Sequence, residues 1–331
     1  MTTRVRAACL THYADVARAC GLDPRRLLRE AGLPLACLDE PDRKIPAQAV
    51  RALLERSAAL SGEEAFALRM AEGRRVSNLG VLGMLAREEP TLRRALQIFV
   101  LHGRRHNEAL YLRIEEAQGI ATLLEEFLVG DDGPTRQATE LVLAVALRIL
   151  RLFLGPEWQP RRISLAHAPP ADLSVHRRVL GTALEFHGAF NGIVCRSADL
   201  DMPILSADPV VAHYVRQQVQ AVPGTEARCS DEVRQLALLL MPRGQCTAEQ
   251  VALHLGVHRR TLHRQLAREG AVFADLLSAI RRELGARYVR TGRRPLTEVA
   301  QQLGFADLSA FSRWYRSTYG VPASQDRRAA R

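Results

Sequence analysis

Two stretches near the carboxyl end decide the fold: VALHLGVHRRTLHRQLARE at residues 251–269, and VAQQLGFADLSAFSRWYRS at residues 299–317. Both open with Val-Ala and reach Leu-Gly at the same spacing, since Val251 and Val299 are 48 residues apart. Leu262 and Phe311 match at an offset of 49, so the second copy has one extra residue in or after its turn. The repeat predicts two copies of one supersecondary unit.

Each copy has the residues that a helix-turn-helix requires. A small residue lets two helices cross closely, and a glycine allows the left-handed conformation of a sharp turn. Apolar residues at i and i+4 then anchor the second helix to the core. The first copy supplies Ala252, Gly256, Leu262 and Leu266, and the second supplies Ala300, Gly304, Phe311 and Tyr315. Thr247 and Thr297 are the predicted N-caps of the two first helices, and a long helix is predicted between the copies, over residues 273–291.

The positive charge of the chain is concentrated around this repeat. The net charge is +10 over 331 residues, and residues 229–331 carry 17 Arg, no Lys and 9 Asp or Glu, a net +8. The remaining residues therefore carry +2. A basic segment of this kind is the electrostatic footprint of a nucleic-acid-binding domain, although a solvated arginine-rich face has the same composition.

The chain before this segment mixes helix and strand signals. The stretch YLRIEEAQGIATLLEEFL (111–128) alternates and holds a Gln118–Gly119 turn, which predicts a β-hairpin. A long apolar helix is predicted over 135–154, and short strands over 162–167 and 192–196. Everything after Cys229 is helical in pattern. The predicted fold is mainly α, with an α+β sensor domain followed by an all-α domain of two helix-turn-helix units joined by a long helix.

The domain boundaries follow from these patterns. Residues 1–205 form the predicted α+β effector-sensing domain, and residues 229–331 the double helix-turn-helix DNA-binding domain. Between them, SADPVVAHYVRQQVQAV (206–222) is a helix that serves either dimerisation or core packing, and the rest of 206–228 is a linker. A homodimer is therefore one possibility that the sequence leaves open.

The carboxyl-terminal segment resembles the AraC/XylS family of bacterial transcription regulators. The resemblance covers about residues 229–325 and is most specific in LTEVAQQLGFADLSAFSRWYRSTYGVPAS (296–324), while Arg281 matches an arginine of the family's interunit helix. The amino-terminal region is similar to the "arabinose-binding" domain of the ornithine-utilisation and VirS-type branch, chiefly in FNGIVCRSADLDMP (190–203). The resemblance implies a transcription activator that binds promoter DNA, contacts RNA polymerase and responds to a small effector.

The sequence departs from the family at four positions. Gly285 replaces a usual alanine, and Trp314 stands where a small residue is usual. The family's ending G-x-S-P-x-x-Y/F-R has its proline one place early here, at Pro322, and Asp326 replaces the aromatic residue. These departures all concern the packing of the last helices.

Recognition helices of this family lie in the major groove, which defines the candidate DNA-binding residues. In the first unit they are His258, Arg259, Arg260, Thr261, His263 and Arg264, and in the second they are Asp307, Leu308, Ser309, Ala310, Ser312 and Arg313. Arginine reads guanine bidentately, so Arg259 and Arg260 are the predicted base readers. Arg264 and Arg268 suit phosphates or local salt bridges. Arg313 either contacts a phosphate or pairs internally with Asp307 or Glu298.

The effector of the amino-terminal domain is not identified by the sequence. Arg104, Arg105 and His106 either hold a carboxylate, such as a fatty acid or amino acid, or form a solvated basic helix face. His102 and His106 have a spacing that can bind metal, but no cysteine or carboxylate pattern accompanies them, so no metal and no cofactor are predicted. A regulator controlled by a protein partner or by dimerisation, without a small ligand, is the alternative hypothesis.

Other classes of protein are disfavoured. The chain lacks the P-loop, GxGxxG, GxSxG and HExxH patterns, so an enzyme is not predicted. No apolar run approaches the ~18 residues of a membrane span, and the amino terminus lacks the features of a signal peptide, so the chain is expected to stay in the cytoplasm. Six scattered cysteines without CxxC spacing are interpreted as small buried hydrophobic residues.

Overall fold

The computed structural model describes residues 3–127, 134–205, 207–208, 210–211, 214, 229–244, 246–255, 257–290 and 295–329. The chain divides into two compact units, Met1–Thr225 and Glu226–Arg331. Most of the predicted helix and linker at 206–228 lies outside the described residues. Within those ranges no helix is both long and apolar enough to cross a membrane.

The first unit begins with helices that flank a small two-stranded sheet. Strands β1 (Arg4–Arg6) and β2 (Lys44–Pro46) pair antiparallel. Around them lie α1 (Tyr13–Ala19), α2 (Pro24–Glu30), α3 (Ala47–Ser61), α4 (Phe66–Glu72), α5 (Val81–Arg87) and α6 (Leu92–His106). Helix α2 begins where the Asp23 carboxylate accepts from the backbone amides of Arg25 and Arg26, with Pro24 in its first turn.

A five-stranded sheet forms the second half of this unit. Its strands β3 (Leu110–Ala117), β4 (Ile120–Phe127), β5 (Arg162–Ser164), β6 (Leu184–Glu185) and β7 (Asn191–Arg196) lie in the order β3-β4-β7-β5-β6. All neighbours are antiparallel except β5 and β6. The predicted hairpin is confirmed: Gln118 and Gly119 have φ of 51° and 77°, as a two-residue turn with two left-handed positions requires.

The core of the first unit is built around one apolar helix. Helix α7 (Arg136–Leu154) buries Leu141, Ala144, Leu147 and Leu150, which confirms the long buried helix predicted there. It packs against α3, α4 and the sheet, and the short helices α8 (Ser174–Leu180) and α9 (Ser197–Leu200) complete the unit. An α+β unit thus precedes the helical one, as the sequence predicts.

The second unit is entirely helical over its described residues. Helix α10 (Cys229–Leu240) leads through a 3-10 turn into α11 (Ala248–His254) and α12 (Arg259–Arg268), the first helix-turn-helix. Helix α13 (Phe273–Arg290) joins it to α14 (Leu296–Gln302) and α15 (Leu308–Tyr319), the second one. Helix α16 (Ala323–Ala329) follows. This arrangement confirms the predicted pair of units joined by a long helix.

The repeat occupies equivalent core positions in both units. The predicted anchors of the two recognition helices are all at most 1% exposed: Leu262, Leu266, Phe311 and Tyr315. Gly304 has φ of +70°, and a Cβ there would lie 2.9 Å from the backbone oxygen of Met241. Glycine is therefore required both by the backbone conformation and by close packing. Gly256 lies outside the described residues.

The predicted caps of the two first helices have different outcomes. The Thr247 hydroxyl accepts from the Gln250 amide at 3.2 Å and caps α11, as predicted. The prediction for Thr297 is wrong, because α14 starts after Pro295 and places Thr297 inside its first turn. The pyrrolidine ring fixes the φ of Pro295 at −54° and sets the start of the helix without a side-chain cap.

The unusual glycine and tryptophan of the second unit contact each other. A Cβ built on Gly285 of α13 would lie 2.9 Å from Cη2 of Trp314 on α15. The indole also packs with the rings of Phe305 and Tyr319, at centroid distances of 5.1 and 6.0 Å. The absent methyl group at residue 285 thus provides the space that the large ring at residue 314 occupies.

Candidate nucleic-acid interface and effector cavity

The first recognition helix, α12, presents a basic exposed surface. His258, at the N-cap, has extended backbone and no side-chain cap bond, so its ring is not used to close the helix. The side chains of His258, Arg259, Arg260, His263 and Arg264 are exposed, and Thr261 is half-buried. The buried anchors Leu262 and Leu266 hold the opposite side of the helix. The candidate residues therefore lie on a solvent-facing surface of a fixed helix.

The two predicted base readers differ in their partners. Arg259 Nη1 lies 2.7 Å from Glu249 Oε1 of α11, in an ion pair whose side chains are both more than half exposed. Such a pair contributes little to stability and still competes with a DNA contact. Arg260 has no ion pair with any described residue, nor do Arg264 and Arg268. Arg260 is therefore the better placed of the two for a base contact.

The second recognition helix, α15, is poorer in charge. The Asp307 carboxylate accepts from the Ala310 amide at 2.7 Å and caps the helix, so this candidate residue has a structural role. Leu308, Ser309, Ser312 and Arg313 are exposed, and Ala310 is half-buried. Over the described part of the chain Arg313 forms no ion pair, with either Asp307 or Glu298. Its guanidinium is available to an external anion.

Arg281 fastens the second unit to the interunit helix. Its Nε donates to the carbonyl oxygen of Leu303 at 3.0 Å, and its Nη2 to that of Gly304 at 3.4 Å. The guanidinium also lies 5.0 Å from the ring centroid of Phe305, over its face. Burial lowers the pKa of Arg281 from its usual value. The side chain therefore braces the turn between α14 and α15.

The first unit contains a cavity of about 170 Å³. It lies between α3, α6, α7 and the β3–β4 hairpin, and most of its lining is aliphatic or aromatic. Polar side chains also reach the cavity: Arg51, Arg74, His106, Asn107, Arg113 and Glu125. A concave, mainly apolar space with a few polar groups is typical of small-molecule sites.

His106 is the one residue of the predicted effector group that can be placed. It lines the cavity, and its Nδ1 accepts from Arg6 Nη1 at 3.1 Å. Burial and the nearby Arg6 and Arg74 lower the pKa of His106 to about 3, so the ring is neutral. The side chains of Arg104 and Arg105 lie outside the described part. Among the described residues no group of three His, Cys, Asp or Glu side chains is placed to hold a metal.

The polar side of this cavity was missed by sequence reasoning. Arg51, Arg74 and Arg113 come from α3, the segment after α4, and β3. None of the three lies in a recognisable sequence motif. Only the packing of these elements brings the three into one wall.

The cysteines are mostly inert thiols. Cys37, Cys195 and Cys229 are buried. Burial raises the pKa of Cys9 and Cys195 to about 12, which keeps these thiols protonated. Their interpretation as small packing residues fits this environment.

Two units with these features define a helix-turn-helix DNA-binding protein with a separate domain. Residues 21–204 match the family model described as the arabinose-binding domain of AraC transcription regulators, and residues 251–329 match a helix-turn-helix domain model. The chain is 31% identical to the transcriptional regulator VirS of Mycobacterium tuberculosis, over 98% of this chain and 96% of that protein. It is 28% identical to the ornithine utilization regulator of Pseudomonas aeruginosa, over 95% of this chain and 94% of that protein. The transcriptional activator NphR of Rhodococcus sp. is 27% identical over a shorter stretch, 42% of this chain and 47% of that protein.

The chain therefore belongs to the AraC family, and it is a DNA-binding transcription regulator. The full-length similarity includes the amino-terminal unit, so the whole architecture is shared with these relatives. The relatives are regulators by name, which agrees with the lack of enzyme motifs in the sequence.

Proposed function

We propose that this regulator is a transcription activator that binds promoter DNA through both recognition helices and changes its DNA affinity when a small effector enters the cavity of the first unit. The cavity is the observation that carries the proposal, because a domain that only held two subunits together would have no need for a concave apolar space of this volume. Activation is supported by the relative named a transcriptional activator. It implies contact with RNA polymerase.

DNA reading in this proposal is unequal between the units. Helices α12 and α15 enter two successive major grooves on one face of DNA, about one helical turn or ~34 Å apart. The exposed Arg260, without a competing ion pair, reads a base, and Arg264 binds a phosphate. On α15, Leu308 or Ala310 contacts a thymine methyl and Arg313 a phosphate. The first unit then supplies most of the sequence selectivity.

The experiment has two stages. Operator sequences are first selected from random DNA with the full chain, and the affinity for the selected duplex is measured by fluorescence anisotropy at fixed salt. A compound library is then screened for changes in this affinity. Ala146 lines the cavity, so Ala146→Phe fills part of it and should abolish the response while basal DNA binding is retained. A response that survives Ala146→Phe would contradict the cavity as effector site.

One observation favours a second candidate, control by self-association without a ligand. Leu205 and Tyr214, near the end of the first unit, expose 95% and 63% of their surface. Exposed apolar side chains of this kind are expected where a second copy of the chain covers them. Light scattering with Leu205→Ser and Tyr214→Ser tests it. A monomer at all concentrations, with unchanged DNA affinity in both variants, would eliminate this candidate.

A further inference from the structure

The lining of the cavity is poorly suited to a sugar. Its apolar surface includes Leu54, Phe99, Leu112, Leu123, Leu141 and Ile149. A sugar carries hydroxyl groups around its whole ring, and each needs a hydrogen-bond partner when it is buried. The polar side chains of the cavity are too few to bind all the hydroxyl groups of a sugar, and several of them already have partners within the protein. Arg113 pairs with Glu115 at 3.0 Å and with Glu126 at 3.6 Å, and Arg51 and Glu125 also have partners of their own.

Arg74 differs from the other cations of the cavity. Arg74 is only 7% exposed, and its guanidinium donates to the carbonyl oxygen of Cys9. Its Nε has no acceptor among the described residues, and no described carboxylate forms an ion pair with it. A buried cation without an anionic partner is unfavourable, because desolvation is not offset by a counter-charge. Burial lowers the pKa of Arg74 to about 10, which still leaves it charged at neutral pH.

His106 adds a second donor to the lining of the cavity. An arginine can only donate, so the contact with Arg6 makes Nδ1 of His106 the acceptor and places the ring proton on Nε2. This Nε2–H has no acceptor among the described residues. Arg74 and Arg6 both act electrostatically on this neutral ring, while Arg6 is ion-paired with Asp42 and only Arg74 and His106 line the cavity. The positive charge at this end of the cavity therefore comes from Arg74.

We propose that the effector is an apolar organic anion, whose carboxylate binds Arg74 and the Nε2–H of His106 while its hydrocarbon part fills the rest of the cavity. This inference rests on the proposed effector function and names the chemical class of the ligand. The carboxylate supplies the counter-charge that Arg74 lacks and accepts the free ring proton. The aliphatic lining accommodates a hydrocarbon body and offers no partners to additional polar groups.

The volume of the cavity guides the choice of probe ligands. An engineered cavity of about 150 Å³ in another protein holds benzene. The 170 Å³ here therefore accommodates a single ring with one carboxylate, or an alkyl chain of similar volume. Benzoate and hexanoate are suitable probes, and benzamide and hexanamide are their neutral counterparts of nearly equal shape.

The test compares these probes on the full chain by isothermal titration calorimetry. Benzoate or hexanoate is expected to bind about 10- to 100-fold more tightly than its amide, the range for hydrogen bonds to a charged group. Arabinose is not expected to bind. Arg74→Gln should lower the carboxylate affinity by the same factor and leave the amide affinity unchanged. Arg74→Lys, which keeps the charge, should restore part of it.

Arg75→Gln is the matched control, because Arg75 is the adjacent arginine and is exposed. It should leave all affinities unchanged. Should Arg74→Gln fail to fold, the comparison of carboxylate with amide on the unmodified chain decides the question by itself.

Equal binding of carboxylate and amide, binding of arabinose alone, or no binding of either carboxylate would overturn the inference. None of these results removes the proposed effector function, which is judged separately by the library screen and Ala146→Phe. If only neutral compounds of the library acted through the cavity, the effector function would stand and the anionic ligand would be excluded. If no compound in the library changed the DNA affinity and no probe bound, both the effector function and the anionic ligand would be refuted.

Discussion

The contact between Gly285 and Trp314 gives a sharp test of how the second unit is packed. Replacing glycine by alanine inside a helix usually stabilises a protein by about 1 kcal/mol, since alanine has the better helix propensity. Gly285 has an ordinary helical backbone, so nothing in its conformation opposes alanine. The new Cβ, however, would lie 2.9 Å from Trp314 Cη2 and 3.0 Å from Cζ3. The indole must shift within an aromatic cluster that includes Phe305, Phe311 and Tyr319.

The expected magnitude follows from two opposing contributions. Overpacking of this kind costs about 1–3 kcal/mol, so Gly285→Ala should destabilise the second unit by about 0–2 kcal/mol after the propensity gain is subtracted. In a Trp314→Ala background the space is vacant, and the same substitution should stabilise by about 1 kcal/mol. The two substitutions should therefore couple by about 1–3 kcal/mol, in the range for residues in contact.

Hydrogen exchange of amides in α13 and α15, measured by mass spectrometry on the full chain, reports the local free energy of opening. The four chains of the double-mutant cycle are compared. Ser278→Ala is the control, because Ser278 is exposed on the same helix, two turns (about 10 Å) from Gly285. It should change stability equally in both backgrounds. A Gly285→Ala variant that stabilises equally with and without Trp314 would refute the packing argument.

Four other predictions concern DNA binding, the stability of the second turn and pH. Arg260→Ala should weaken operator binding by about 1–3 kcal/mol and relax selectivity at one base pair, measured by anisotropy on single-base operator variants; uniform weakening would assign Arg260 to a phosphate. Arg259→Ala should cost less, because DNA binding must first break its ion pair with Glu249. Gly304→Ala should destabilise the second turn by at least about 1–2 kcal/mol through the left-handed backbone, seen as faster exchange in α14; unchanged exchange would contradict it. His106 stays neutral with a pKa of about 3, so the unfolded chain takes up a proton that the folded chain does not once the pH falls below about 6.5. The free energy of unfolding therefore decreases as the pH falls. At pH 5 this loss should be about 2 kcal/mol in the unmodified chain and absent in His106→Gln, as measured by urea titration. Parallel pH dependence of the two chains would contradict this assignment.

The repeat could be predicted because its information is local. Glycine at the turn, small residues at the helix crossing and anchors at i and i+4 are read from neighbouring positions, and the burial of Leu262 and Phe311 agrees with them. The hairpin turn at Gln118 is local in the same sense. The N-cap predicted at Thr297 is wrong because Pro295, a competing local signal, sets the start of that helix.

The cavity could not be predicted, because its lining is assembled from distant segments. Val5, Arg74 and Ile193 all reach it, although each lies in a different element. An arginine such as Arg74 follows an ordinary helix end and has the sequence context of a surface residue. Only tertiary packing shows that it is buried, and only its lack of an acidic partner points to a ligand. The chemistry of the site therefore depends on a combination that no short stretch of sequence contains.

The departures from the family pattern can be understood as one rearrangement of volume and polarity in the second unit. Trp314 adds a large ring on α15, and Gly285 removes the methyl group that would meet it. Asp326, where the family has an aromatic residue, accepts from the Tyr315 hydroxyl at 2.5 Å and lies 3.5 Å from Arg290 Nε. The last helix is thus held by polar contacts where the family uses a ring, and aromatic volume has moved from α16 to α15. Because Gly285 and Trp314 compensate for each other, restoring the family residue at one of these two positions should be less favourable than restoring both.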